Sequence, residues 1–120
     1  MDMSASDRQA IRSVITAQLD AFQADDGLQA FQYAAPTIRK QFKTVANFMH
    51  MVKTAYPAVY RPRSVMFSAL TLLQGQPAQA VLLMAPSGNI VKAVYVMQQQ
   101  PCGDWRIAGC FLMPLEGAVE

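Results

Sequence analysis

Apolar residues recur at helical spacing through the first half of this chain and at twofold spacing through the second. Ile11, Val14, Ile15, Gln18, Leu19 and Phe22 trace one face of a helix predicted from about Asp7 to Gln23, with Ser6 and Gln9 at capping-box spacing. Asp25 and Asp26 can cap a second short helix that turns Leu28, Phe31 and Tyr33 inward, and Pro36 ends or redirects it. A further turn, Thr37 to Phe42, leads to a third helix. Its Val45, Phe48, Met49, Val52 and Tyr56 share one face until Pro57 stops it, and Pro57 to Pro62 read as a stiff connector.

Four strands follow, about Arg63 to Leu73, Ala78 to Ala85, Ile90 to Gln99 and Trp105 to Leu115. Gly75 and Pro77, then Pro86 to Asn89, then Pro101 to Asp104 mark the turns between them. Short connections make neighbours antiparallel. Helices first and strands afterwards predict a single α+β domain, residues 1–120, with three N-terminal helices against one face of a curved four-stranded antiparallel sheet. Strict alternation puts Val91, Ala93, Tyr95 and Met97 on one side of the third strand and Lys92, Val94, Val96 and Gln98 on the other. In the fourth it sets Trp105, Ile107, Phe111 and Met113 against Ala108, Cys110 and Leu112. Both faces are thus more apolar than a sheet wetted on one side requires, and a second copy of the same sheet is the expected cover: a homodimer through the sheet.

A chain of 120 residues supports one hydrophobic core. Only 15% of it is charged, against about 25% in an ordinary soluble domain, so little of the surface is obliged to stay in water. Met1 to Asp7 is polar and acidic without a basic leader, which predicts a cytoplasmic address, and no apolar run approaches the length needed to cross a bilayer. Cys102 and Cys110 stand on either side of the fourth strand's start, about 25 Å apart at ~3.3 Å per extended residue, too far to bridge. Reduced thiols are expected, with Cys110 a small buried side chain.

Between Asp26 and Asp104 there is no Asp or Glu. A pocket walled by those strands has no carboxylate with which to move a proton, which argues against the commonest acid–base chemistry. The first 26 residues carry five acids and two bases, residues 27–103 seven bases and no acid, and residues 104–120 three acids and one base. Arg39, Lys40 and Lys43 cluster after Pro36, and Arg61 and Arg63 frame Pro62. Two readings stand: a basic rim that attracts an anionic small molecule, or acidic ends folding back on a basic middle. A net charge of +2 without a basic stripe argues against nucleic-acid binding. His50, the only histidine, is expected to face solvent, and with two cysteines on one strand it makes no metal set; no phosphate loop or dinucleotide fingerprint is present, so no cofactor is implied.

Gly103-Asp104-Trp105-Arg106-Ile107 resembles the turn into the last long strand of the nuclear transport factor 2-like superfamily. The first helix followed by Asp25, Asp26, Ala30 and Phe31 is similar to its paired N-terminal helices. More narrowly, Met51-Val52, Tyr56-Pro57, Tyr60-Arg61-Pro62 and Trp105 through Cys110 resemble the bacterial domain-of-unknown-function family 4864 over about Ile11 to Leu112. The resemblance implies a cone with an open end, a hydrophobic pocket between helices and sheet, and dimerisation across the sheet. It implies no reaction: enzymatic relatives place Asp, His or Tyr inside the cone, and this chain departs from them by offering no acid on its first three strands.

In such a cone the candidate lining residues are Gln18, Phe22, Tyr33, Tyr56, Tyr95 and Trp105. Gln18 sits on an apolar helix face, where a buried amide either hydrogen-bonds a ligand or ties helix to sheet. The aromatic residues either line a cavity with their polar ends toward a guest or simply pack the core. No catalytic residue is assigned. The leading expectation is non-catalytic binding of an apolar or amphipathic small molecule, anionic ones included. The alternatives are a dimeric interaction module with a self-filled core, and an isomerase-like or hydratase-like enzyme using tyrosine hydroxyls or Asp104.

Overall fold

Ser4, two residues ahead of the expected cap, starts the first helix: its Oγ accepts from the Asp7 N–H at 3.0 Å in the computed structural model, which describes residues 3–114. Ser6 therefore lies within α1, Ala5–Gln23, and the described helices continue as α2 Gly27–Gln32, α3 Pro36–Phe42, α4 Val45–Ala55 and α5 Pro57–Tyr60. Five helices stand where three were expected. The difference lies at Pro36 and Pro57, which occupy first-turn positions of α3 and α5, where the missing N–H is unpaired in any helix and the fixed φ already suits the turn.

Asp26 caps α2 by accepting from the Gln29 N–H, and Thr44 caps α4 by accepting from Asn47. Ile11, Ile15, Leu19 and Phe22 of α1 and Phe48, Met49 and Val52 of α4 are buried, as their spacing requires. Leu28, expected inward, is 61% exposed. The cause is Gly27: a Cβ there would stand 2.7 Å from Val45 Cγ1 and 2.9 Å from Met49 Cγ. So close an approach of α2 to α4 turns Ala30 and Phe31 to the core and Leu28 to solvent.

Behind the helices, β1 Ser64–Leu73, β2 Gln76–Met84, β3 Ile90–Gln99 and β4 Trp105–Pro114 form one antiparallel sheet in the order β1-β2-β3-β4. Leu115, expected to end the last strand, lies outside the described residues. Gln74 and Gly75, with φ of 52° and 82°, make the two-residue turn between β1 and β2, where both central positions need positive φ to match the strand twist.

Two bulges break the alternation. In β1 the pairing skips a residue between Phe67 and Leu70, and the buried Gln79 donates its Nε2 to the Ser68 carbonyl there at 2.9 Å. In β4, Val96 pairs with Gly109 and Met97 with Ile107, which leaves Ala108 unmatched. One extra residue flips every side chain beyond it to the other face. Trp105 and Ile107 are buried under the helices. Cys110 and Leu112 pack on that same side, whereas Phe111 and Met113, expected alongside Trp105, are exposed on the outer face.

The core lies between helices and sheet, where Ile11, Ile15 and Phe22 meet Val81, Leu83, Ala93, Tyr95 and Met97. Phe48 is its aromatic hub, with ring centroids 5.3 to 6.0 Å from Phe22, Phe31 and Phe42. The outer face is left with Met66, Leu73, Ile90, Phe111 and Met113 exposed. Among the described residues no helix is long and apolar enough to cross a membrane.

Candidate functional site

A hollow lies beside the β4 bulge. Where Ala108 and Gly109 follow Ile107, the strand presents almost no side-chain bulk to the helices, and Ala34 across from it adds none. The α2–α3 junction is pinned there as a parallel bridge: the Ile107 N–H donates to the Tyr33 carbonyl and the Ala35 N–H to the Ile107 carbonyl, each at 2.8 Å. With backbone held and side chains small, a cavity of about 430 Å³ remains between α1, α3, α4 and β4, within the size range of small-molecule pockets. Phe22, Phe42, Phe48, Val52 and Ile107 supply much of its wall, and the exposed Gln41 also borders it.

Besides the exposed Gln41, four polar residues line the cavity: Gln18, Tyr56, Tyr95 and Cys110. Gln18, buried on α1, donates its Nε2 to the Ala30 carbonyl at 3.0 Å. It ties helix to helix rather than helix to sheet. Tyr56, at the end of α4, donates its hydroxyl to the Cys110 carbonyl at 3.2 Å and so fastens α4 to β4 across the cavity's edge. Tyr95 stands on β3 directly opposite Cys110, and its buried hydroxyl has no hydrogen-bond partner among the described residues.

None of these groups is poised for proton transfer near neutrality. Burial pushes the Tyr95 hydroxyl well above the ordinary tyrosine value and, less strongly, that of Tyr56. Cys110 is only half-buried as a residue, yet burial drives its thiol up to about 12, against the opposing effect of the Tyr95 hydroxyl beside it. No Asp, Glu, His, Lys or Arg is among the lining residues. The wall can pack an apolar body and offer a few neutral hydrogen-bonding groups; it holds no acid–base pair with which to work at pH 7.

Of the six lining residues read from the sequence, Gln18, Phe22, Tyr56 and Tyr95 come together here. Tyr33 and Trp105 do not. Tyr33 is the half-buried cap of α2, serving Ile107 through its backbone, and Trp105 is packed in the core at the start of β4, before the bulge. Ile38, Phe42, Met51 and Cys110 line the cavity without having been singled out for it. Ile38 and Phe42 carried a readable signal, an i, i+4 apolar pair following a proline.

The other candidates lie elsewhere. His50 is exposed on α4, and Asp104 is exposed in the last turn, 3.6 Å from Arg106. No cluster of three His, Cys, Asp or Glu that could hold a metal occurs among the described residues, and both cysteines are free. Arg61 pairs with Asp25 at 3.0 Å, donates to the Phe22 carbonyl and stacks on the Tyr60 ring, while the Tyr60 hydroxyl also donates to Asp25. The Tyr60 hydrogen bond, assisted by Arg61, holds the Asp25 carboxyl below its usual range. Here an acidic end does fold back on the basic middle. Arg39 and Lys40 ride on α3 beside the mouth, but neither lines the cavity.

The family model described as Domain of unknown function (DUF4864) matches residues 4–119, and the chain belongs to that family. No curated protein and no solved structure matches it.

Proposed function

We propose, starting from membership of a family whose description names no activity, that this chain is a single nuclear transport factor 2-like domain that binds an apolar or amphipathic small molecule without transforming it. The observation that carries the reading is the composition of the cavity wall: about 430 Å³ bounded by aromatic and aliphatic side chains, a few neutral polar groups, and no carboxylate, imidazole, ammonium or guanidinium. Such a wall stabilises a guest by excluding water from it, at about 25 cal/mol per Å² of apolar surface covered, and offers no group to donate or remove a proton at pH 7. The helix-before-sheet order and the hollow between the two layers support the superfamily assignment.

The domain works as a homodimer in this reading, joined through the outer face of the sheet, where Met66, Leu73, Ile90, Phe111 and Met113 would otherwise meet water. A cytoplasmic setting fits two unpaired thiols. A thermal-shift panel of fatty acids, steroid-like molecules and neutral aryl compounds tests the binding reading: a guest that occupies the folded cavity raises the melting temperature with concentration. Absence of stabilisation by every member of the panel contradicts it.

A further inference from the structure

We infer that the cavity is built for a neutral guest, an apolar body carrying one hydrogen-bond acceptor such as a ketone or ester carbonyl, and that the Tyr95 hydroxyl is the donor that receives it. The inference rests on the binding reading above and narrows it to a ligand class. Among the wall's side chains, the Tyr95 hydroxyl is the one buried polar atom without a partner within the described residues. Tyr56 is already committed to the Cys110 carbonyl and the Gln18 amide N–H to the Ala30 carbonyl. An unsatisfied buried donor is a rarer and costlier feature than an acceptor with a spare lone pair, so a site that retains one is suited to a partner that arrives with an acceptor.

Charge selects against the anionic alternative. A carboxylate brought to Tyr95 would leave water for a wall with no cation on it, and Tyr56, Tyr95 and Cys110 are all held in their neutral forms by burial. Arg39 and Lys40 lie on the helix at the mouth and are not in the wall, so they can steer an anion toward the opening without compensating one at depth. The Cys110 thiol beside the Tyr95 hydroxyl is only a weak hydrogen-bonding partner, so the hydroxyl has no oxygen acceptor among the described residues.

Three probes of one shape separate the possibilities by isothermal titration calorimetry: 2-acetylnaphthalene, 2-ethylnaphthalene and 2-naphthoate, on the full chain and on Tyr95→Phe. The ketone is expected to bind wild type about tenfold more tightly than the hydrocarbon, with the carboxylate weakest. In Tyr95→Phe the ketone's advantage falls to within about twofold while hydrocarbon binding persists. Equal binding of ketone and hydrocarbon to wild type, tightest binding of naphthoate, or a ketone advantage that survives in Tyr95→Phe overturns the ligand class and leaves the cavity reading standing. Failure of all three probes to bind removes the cavity reading and this inference with it. The wild-type comparison decides the matter even should the variant not fold.

Discussion

Tyr95 and Cys110 face each other across the β3–β4 ladder, two residue pairs beyond the bulge that leaves Ala108 unmatched. Had β4 alternated without interruption from Ile107, Gly109 would have stood opposite Tyr95 and Phe111 opposite Ala93 on the helix side; the bulge sets Cys110 and Leu112 there and turns Phe111 outward. The bulge thereby brings the Cys110 thiol beside Tyr95 at the cavity wall.

Because the Tyr95 hydroxyl is buried with no oxygen acceptor and only the weak Cys110 thiol beside it, its removal costs the folded protein little and relieves a desolvation penalty. Tyr95→Phe is expected to match or exceed wild type in unfolding free energy, by up to about 1 kcal/mol, in urea melts of the ligand-free protein. A loss of more than 1 kcal/mol, itself an order-of-magnitude mark for one hydrogen bond, would mean that the hydroxyl has a partner in solution.

Gly27 is where α2 touches α4, and a methyl group there collides with Val45 and Met49. Gly27→Ala should therefore destabilise by about 1–3 kcal/mol despite the better helix propensity of alanine. Gly27→Ala combined with Val45→Ala, which vacates the nearest contact, is expected to recover part of that loss. Equilibrium denaturation of the single and double variants checks both the sign and the coupling.

Cys110 links stability to alkaline pH. Its folded value of about 12 lies above the ordinary 9.0, so the contribution is fully present below pH 9 and is lost as pH rises toward 12, because the unfolded chain releases the proton first. Tyr95 adds to the same alkaline loss, its value being raised in the same sense by burial. Cys110→Ala should flatten the fall of stability above pH 9 by up to about 1.4 kcal/mol per pH unit, one proton's worth. Identical slopes in the two proteins would contradict the burial of the thiol.

The outer sheet face gives a prediction about size. A carboxylate at Met66, which is 64% exposed, cannot disturb the core but would be trapped in a sheet-to-sheet interface. Met66→Glu should convert a dimer to a monomer in sedimentation equilibrium without lowering helix content. A wild-type chain that sediments as a monomer, or a variant that remains dimeric, rules out this face as the interface.

How much of this was readable beforehand depends on the range of the forces involved. The α1 stripe from Ile11 to Phe22 and the α4 stripe from Val45 to Val52 are local periodicities, and both helices pack as their spacing demands. The strand order and turns followed from local signals as well. Leu28 was misread because its direction is set by the contact of Gly27 with a helix eighteen residues on, which no local pattern reports. Phe111 and Met113 were misplaced because alternation assumes an unbroken ladder, and a bulge is a property of two paired strands. For the same reason Cys110 was not expected at the cavity, whereas Trp105 does turn inward but lies before the bulge, outside the lining. Pro36 and Pro57 were legible as boundaries, though not for which side of the boundary they serve. Gln18 could be placed on the buried face; its partner, Ala30, lies on the neighbouring helix and was beyond reach.

The central claim is that a neutral apolar guest enters between α3, α4 and β4, and methyl NMR of the methionines measures it most directly. Met51 lines the cavity, whereas Met66 and Met113 stand on the outer face of the sheet, so one labelled sample contains both the probe and its controls. Titration with 2-acetylnaphthalene should shift the Met51 methyl saturably and leave those of Met66 and Met113 in place. Saturable shifts at Met66 or Met113 with Met51 unmoved, or no saturable shift at any methionine, would contradict the account.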